Sequence, residues 1–165
     1  MQNGEALNIS NENWDIAFST SSMSSTIRTN DGKGVELYTY QLGDTSAWAN
    51  ISNNDLNNLP ELMFNTDTSW EYGAFDINQT GGFDYGWGVY NLQTHHLIGD
   101  SLYLIKTING NWKKLWIKSK VKSKIMSRGD VLNFMQTYQR ITQNMFRYMP
   151  KYASIIFNLN SNHQI

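Results

Sequence analysis

The sequence predicts a mainly β protein built from antiparallel sheets, with one helix near the C-terminus. Three observations predict this fold class. Several short segments alternate apolar and polar residues, which is typical of half-buried strands. Six Trp and nine Tyr accompany only two Pro, and aromatic residues favour strands whereas Pro disfavours them. An Asn-Gly pair at Asn109-Gly110 separates two such segments, and this pair predicts a β-hairpin.

The first half of the chain contains two alternating segments separated by a turn. NWDIAF (13–18) predicts the first strand, and VELYTYQL (35–42) predicts a later one. Between them, the sequence NDG at 30–32 tolerates unusual backbone angles and predicts a turn. The polar, Asn- and Asp-rich residues 43–69 are interpreted as a long loop region that carries the apolar sequence LPELMF.

The next strands are predicted from aromatic-rich sequence. EYGAFDI (71–77) and DYGWGVYNL (84–92) predict two strands, and NQTGG between them predicts a hairpin connection. SLYLIKT and WKKLWIKS then predict the two strands of the Asn-Gly hairpin. The period of two divides the second of these strands into two faces, one with Trp112, Lys114, Trp116 and Lys118 and the other with Lys113, Leu115 and Ile117.

The C-terminal part of the chain has a different period. Apolar residues recur at helical spacing over residues 131–148, between a suitable N-cap, Asp130, and a stop at Pro150. This pattern predicts a helix, although the sequence DVLNFMQTYQ would also suit a strand. YASIIFNL (152–159) predicts a final strand. The chain of 165 residues is interpreted as a single domain, since its length suffices for one buried core.

The composition excludes several classes of protein. The chain has no Cys, which excludes disulfides, thiol nucleophiles and Cys-based zinc sites. No apolar run reaches the ~18 residues that a membrane-spanning helix requires. The sequence contains neither a phosphate-binding loop nor a nucleophile elbow, and we therefore do not expect an enzyme.

Charge is distributed unevenly along the chain. Residues 1–105 carry 13 acidic and 2 basic side chains, whereas residues 106–165 carry 1 acidic and 11 basic. We favour the interpretation that the two halves pack together in one domain and neutralise each other. A basic nucleic-acid-binding surface is the alternative, but neither a zinc finger nor an RNP-like aromatic motif is present. We expect no nucleic-acid partner.

Several short motifs occur in an order that is found in one known family. They are Trp14-Asp15 in a strand, Arg28-Thr29-Asn30 before a Gly-containing turn, Lys106-Thr107 at the end of an apolar strand, the turn at Gly110, and the Lys-containing strand from Lys113 to Ile117. In this order, residues 11–119 resemble the HmuY-like haem-binding family. These proteins are haemophores of Bacteroides-type bacteria, secreted or attached to the outer membrane by a lipid. The resemblance fades after about residue 119.

The resemblance implies an all-β fold in which projecting loops hold haem through two axial side chains, each His or Met. The first ligand region of the family corresponds to LPELMF here and offers Met63. The second region follows Trp87 and offers His95 and His96. We therefore expect Met63 and one of the two histidines, His95 before His96, to bind the haem iron.

The chemistry of these side chains suits haem, but each has a structural interpretation as well. Haem iron accepts neutral imidazole and thioether ligands. Adjacent residues of a regular strand point to opposite faces, so at most one of His95 and His96 could reach a given iron, unless they lie in a turn. The histidines could equally form an exposed polar strand end, and Met63 could fill a gap in the core.

The expected function is non-covalent haem binding at the cell surface or in the periplasm, for the acquisition of haem and iron. Haem is the expected cofactor, and host haem proteins or an outer-membrane receptor are the expected partners. The protein would be secreted or lie on the outer-membrane surface, with any lipid anchor outside this sequence. The alternative is a cell-surface β-domain of the same fold that has lost haem ligation and binds a glycan or a protein. The position closest to the family's second ligand supports this alternative, because it holds Leu92.

Overall fold

The computed structural model describes residues 10–19, 24–121 and 155–157. Within these ranges the chain forms nine short strands and four 3-10 helices. The strands are β1 (Ile16–Phe18), β2 (Ile27–Thr29), β3 (Glu36–Thr39), β4 (Gly88–Asn91), β5 (His96–Gly99), β6 (Leu102–Lys106), β7 (Trp112–Trp116), β8 (Ser119–Val121) and β9 (Ile155–Phe157).

The strands form three antiparallel sheets of three strands each, with the orders β2-β1-β9, β3-β6-β7 and β4-β5-β8. The prediction of a mainly β fold with antiparallel sheets is therefore confirmed. Among the residues that the structure describes, no helix is long and apolar enough to cross a membrane. The helix predicted over residues 131–148 lies outside the described residues.

The Asn-Gly hairpin forms as predicted. Strands β6 and β7 pair in the register Leu102↔Trp116 to Lys106↔Trp112. Gly110 takes a positive φ of 79° in the turn and donates its N–H to the Thr107 carbonyl at 2.8 Å. Parts of the other predicted strands are also present, since β1, β3 and β4 lie within the predicted segments and β9 lies within residues 152–159.

The strand predicted over EYGAFDI is wrong. Residues Ala74–Asp76 form a 3-10 helix instead. The Asp76 carboxylate accepts the backbone N–H of Gly73 at 2.7 Å, and an acidic side chain that caps a first turn in this way favours helix over strand. As a result, NQTGG does not join two strands as a hairpin.

Sheet β3-β6-β7 lies between two hydrophobic cores. Its inner face contributes to the main core, which contains the fully buried Trp87, Phe75, Leu37, Tyr103, Ile105, Leu115 and Ile117. Its outer face packs Leu102 and Leu104 against Ala47 and Ile51. The 3-10 helices Thr45–Ala49 and Asn53–Asn58 supply this cover, within the region predicted to be a long loop.

The faces of β7 match the predicted alternation. Lys113, Leu115 and Ile117 are buried on the inner face, whereas Trp112 and Trp116 are half-buried on the other. Strands from the acidic and basic halves of the chain interleave, because β6 pairs with β7, β5 pairs with β8 and β1 pairs with β9. The Glu36 carboxylate joins the two halves directly through a 2.8 Å ion pair with Lys106.

The family-like motifs near the N-terminus lie in a buried polar network. The Asp15 carboxylate is fully buried and accepts the N–H of Ile108 at 2.8 Å, while the Asp15 carbonyl accepts the N–H of Asn30 at 2.9 Å. The Asn30 side-chain amide donates to the carbonyls of Trp14, at 2.9 Å, and of Asn11. These bonds fix β1 against the chain that follows β2 and against the β6–β7 turn.

Gly73 provides a test of how closely the helix Ala74–Asp76 packs against β2. A Cβ atom at Gly73 would overlap the Ile27 carbonyl. Because Ile27 belongs to β2, its backbone cannot move aside without displacing a core strand. We expect Gly73→Ala to lower the free energy of unfolding by about 2 kcal/mol or more, measured by urea denaturation. Gly32→Ala is the matched control, because a Cβ at Gly32 meets nothing within 4 Å. Equal stability of the two variants would contradict this packing.

Candidate functional site

The two neighbouring histidines lie at the turn between β4 and β5. Asn91 organises this turn, because its side-chain oxygen accepts the N–H groups of Gln93 and Thr94, both at 2.9 Å. The Asn91 carbonyl accepts the N–H of His95, also at 2.9 Å. This closure places His95 in the left-handed region with a φ of 58°, the single positive φ among the described non-Gly residues. Such backbone strain is concentrated at functional sites.

His95 is exposed and its ring is held by a tyrosine. The Nδ1 atom lies 2.7 Å from the Tyr90 hydroxyl oxygen, and the two ring centroids are 6.1 Å apart. Tyr90 in turn stacks on Phe83, with centroids 5.9 Å apart and an angle of 24° between the rings. When Nδ1–H donates to the hydroxyl oxygen, Nε2 becomes the nitrogen with a free lone pair. Histidines that bind metals are oriented by this type of hydrogen bond.

His96 points away from this group. It is the first residue of β5 and pairs with Asn91 of β4. The alternation along β5 places it on the face of Ile98, and the register places Val89 on that face as well. Ile98 and Val89 are 46% and 43% exposed. Tyr90, which contacts His95, belongs to the opposite face, so the structure presents the two imidazoles on different sides of the hairpin.

Met63 lies in the main core rather than at the hairpin turn. Its side chain is 5% exposed, and its Sδ atom accepts the Thr39 hydroxyl at 3.0 Å. Its N–H donates to the Leu37 carbonyl at 2.9 Å, beside β3. Ligation of an iron atom by Met63 would require this side chain to leave the core and its contact with Thr39 to break.

The structure therefore brings together a set of residues that the sequence did not single out as a group, namely Phe83, Tyr90 and His95. No group of three or more His, Asp or Glu that could hold a bare metal ion is found in the described part of the chain. A haem differs from a bare ion because its porphyrin supplies four of the ligands.

A second exposed feature is the loop of residues 65–73, which we call the Trp70 loop. Arg28 of β2 donates to the carbonyls of Thr66 at 3.0 Å and Ser69 at 2.9 Å. Its guanidinium carbon also lies 4.6 Å from the centroid of the Trp70 ring. Arg28 belongs to a motif recognised in the sequence. Residues 65–69 of the loop lie in the region predicted to be a long loop, but their contacts with Arg28 were not predicted. The single Trp in the polar segment NTDTSWEY was the feature of the sequence that could have indicated an exposed aromatic residue here.

Other aromatic residues form a half-buried face above the outer core. Trp48 lies 6.3 Å from Trp116 between ring centroids, and Tyr38 lies 5.8 Å from Trp112. Lys114 places its Nζ 4.9 Å from the Trp48 centroid and donates to the Trp48 carbonyl at 2.9 Å. These rings cover apolar core residues, and their role in packing accounts for their position.

A buried acid, Asp76, lies in the helix that packs against β2 and interacts electrostatically with the half-buried Lys120 of β8. Asp76 is 3% exposed. Burial raises the pKa of the Asp76 carboxyl to about 7, against the opposing effects of hydrogen bonds from Gly73 and Ile27 and the charges of Arg28 and Lys120. Burial lowers the pKa of Lys120 to about 8, and its ammonium group donates to the carbonyls of Ser19 and Ser24.

No protein-family model, no curated protein and no solved structure matches this chain. A function must therefore be argued from the side chains described above, and the HmuY-like resemblance remains a prediction.

The Asp76 carboxyl makes stability depend on pH. Its pKa in the folded protein, about 7, exceeds the ordinary value of 3.8. The resulting stabilisation is fully present below about pH 4 and is lost as the pH rises through about 7. Asp76→Asn removes this titration, so the stability of the original protein relative to the variant should fall by about 3 kcal/mol between about pH 4.5 and pH 7.5. Urea denaturation at both pH values measures the difference, and a constant difference would contradict the prediction.

Two variants at position 95 measure the strain of the turn. Both His95→Gly and His95→Ala lose the contact with Tyr90, but only Gly adopts a φ of 58° without steric cost. We expect His95→Gly to be about 1 kcal/mol more stable than His95→Ala in urea denaturation. Equal stability would mean that the turn relaxes when the imidazole is removed.

Proposed function

We propose that the protein binds haem non-covalently, with His95 as an axial ligand of the iron. The observation that carries this proposal is the 2.7 Å contact between His95 Nδ1 and the Tyr90 hydroxyl. In the tautomer whose Nδ1–H donates to the Tyr90 oxygen, Nε2 carries the lone pair that can bind iron, and the contact orients the ring.

The surroundings of His95 support a flat, apolar ligand. Phe83 is 50% exposed and stacks on Tyr90, so an aromatic surface lies next to the imidazole. Leu92, in the same turn, is 60% exposed. Apolar side chains of this size favour contact with a porphyrin ring, because each would otherwise remain in water. When bound, the haem iron would supply the axial coordination positions that an imidazole can fill.

Only one of the predicted ligands is assigned to this site. His96 lies on the opposite face of the hairpin, and Met63 is buried against Thr39. The proposal therefore takes His95 first, as the sequence did, and treats the other two as side chains that would have to move. The remaining parts of the proposal are haem capture outside the inner membrane, delivery from a host haem protein or to an outer-membrane receptor, and no enzymatic reaction.

The burial of Met63 favours a second candidate function. If neither Met63 nor a second imidazole can reach the iron, a domain of this fold could have lost haem ligation and could bind a glycan or a protein partner at the cell surface. The two functions differ in one direct observable, which is the visible spectrum of added haem.

A titration with ferric and ferrous haem, followed by visible absorption, tests the proposal. We expect a saturable Soret band at one equivalent of haem. His95→Ala should abolish it, and Tyr90→Phe should weaken the affinity about tenfold, because the partner of Nδ1 is removed. Thr94→Ala is the matched control, since Thr94 occupies the same turn and contributes only its N–H to it.

Two further variants separate the predicted ligands. His96→Ala and Met63→Leu should leave the Soret band unchanged if His95 alone holds the iron, and Leu is chosen because it keeps the core filled. A spectrum identical to that of haem with an unrelated protein would overturn the haem proposal and favour the second candidate. An unchanged band in His95→Ala would overturn the assignment of the ligand.

A further inference from the structure

The Trp70 loop presents a tryptophan to solvent in a fixed orientation. Trp70 is 84% exposed, more than any other large hydrophobic residue in the described ranges. Exposure of a whole indole is costly, because the ring has the largest apolar area of any side chain. A ring that is exposed and also held in place is therefore a candidate for binding.

Arg28 holds the ring from behind. Its guanidinium carbon lies 4.6 Å from the Trp70 centroid, so one face of the indole rests on a cation. The guanidinium is itself fixed, since it donates to the carbonyls of Thr66, Ser69 and Tyr72 at 3.0, 2.9 and 3.2 Å. A ligand on the other face would meet a ring whose rotamer is already restricted, which lowers the entropy cost of binding.

The ends of the loop are fixed as well. The Asn65 side-chain oxygen accepts the N–H of Thr29 at 3.1 Å and that of Ala74 at 3.0 Å, and so ties both ends of the loop to β2. The Thr26 hydroxyl donates to the Glu71 carbonyl. All of these contacts come from β2 or its flanking residues, and together they make the loop a rigid extension of the sheet.

We propose that Trp70 is a stacking platform for a neutral glycan built from pyranose rings. The free indole face is electron-rich and suits the weakly positive C–H groups on one side of a sugar ring. The loop also carries hydrogen-bonding groups beside the ring. The Thr66 and Thr68 hydroxyls lie 2.9 Å from each other, and Asp67 and Glu71 are exposed carboxylates.

The charge and size of the loop select this ligand class over others. The two exposed carboxylates of the loop disfavour anionic lipid headgroups and acidic glycans, and they can accept hydrogen bonds from sugar hydroxyls. Trp70 and Tyr72 are the exposed large hydrophobic residues of the loop, and its other exposed residues are polar. This apolar area is small beside the interface of about 800 Å² on each partner that a stable protein complex needs. This site is independent of the proposed haem site, since it uses none of the same residues.

Affinity electrophoresis in gels that contain a neutral β-glucan, an α-glucan or a mannan tests the proposal, together with an array of neutral hexose glycans. We expect at least one of these probes to bind the protein. Trp70→Ala should weaken the binding about tenfold, and Trp70→Phe should weaken it less, because a smaller aromatic face remains. Leu42→Ala is the matched control, since Leu42 is also exposed, at 68%, and lies outside the loop.

Circular dichroism should be unchanged in Trp70→Ala and the urea midpoint should fall only slightly, because the ring is 84% exposed and Arg28 keeps its hydrogen bonds to the loop carbonyls. The proposal is overturned if no neutral glycan binds, or if Trp70→Ala binds as well as the original protein. A third result would overturn the proposal in favour of a lipid surface. In that case the protein would bind no glycan but would float with phosphatidylcholine vesicles, and Trp70→Ala would abolish the flotation. None of these results changes the outcome expected in the haem titration, so the glycan proposal and the haem proposal are tested independently.

Discussion

The described part of the fold depends on hydrogen bonds between buried polar side chains and backbone groups near β1 and β2. Asp15 fixes the β6–β7 turn through Ile108, and Asn65 joins the backbone of Thr29 to that of Ala74. Arg28 donates hydrogen bonds to the carbonyls of Thr66 and Ser69, in the Trp70 loop between Asn65 and Ala74. Each of these groups would be costly to bury without a partner, and each finds one in a segment distant along the chain. They therefore specify which segments meet, in addition to the apolar core that drives folding.

Hydrogen bonds hold both exposed features in place, although only the Trp70 loop belongs to this network. The Trp70 loop is attached to β2 at several points, and the β4–β5 turn is closed by Asn91. A binding residue benefits from a support that fixes its rotamer before the ligand arrives. His95 and Trp70 both have such support, from Tyr90 and Arg28 respectively. Their chemistry differs, because an imidazole can bind iron and an indole cannot.

The motifs that resemble a known family have architectural roles here. Asp15, Arg28, Asn30 and Thr107 are engaged with backbone groups. The family resemblance rests on these residues, and they support the backbone rather than face a ligand. The resemblance therefore bears on the fold, whereas function has to be argued from the side chains of the site. The candidate haem residues lie in other segments, and their assignment rests on the geometry around His95.

The sequence by itself determined the mainly β class, the Asn-Gly hairpin and the two faces of β7, because these follow from local turn chemistry and from the period of two. Tertiary structure decided the rest. The sequence could not reveal that Asp76 would cap a 3-10 helix where a strand was predicted, or that Met63 would be buried against Thr39. It could not pair Tyr90 with His95 or Arg28 with Trp70. Each of these outcomes depends on contacts made through a turn or between distant segments, and the period of a short window contains no information about such contacts.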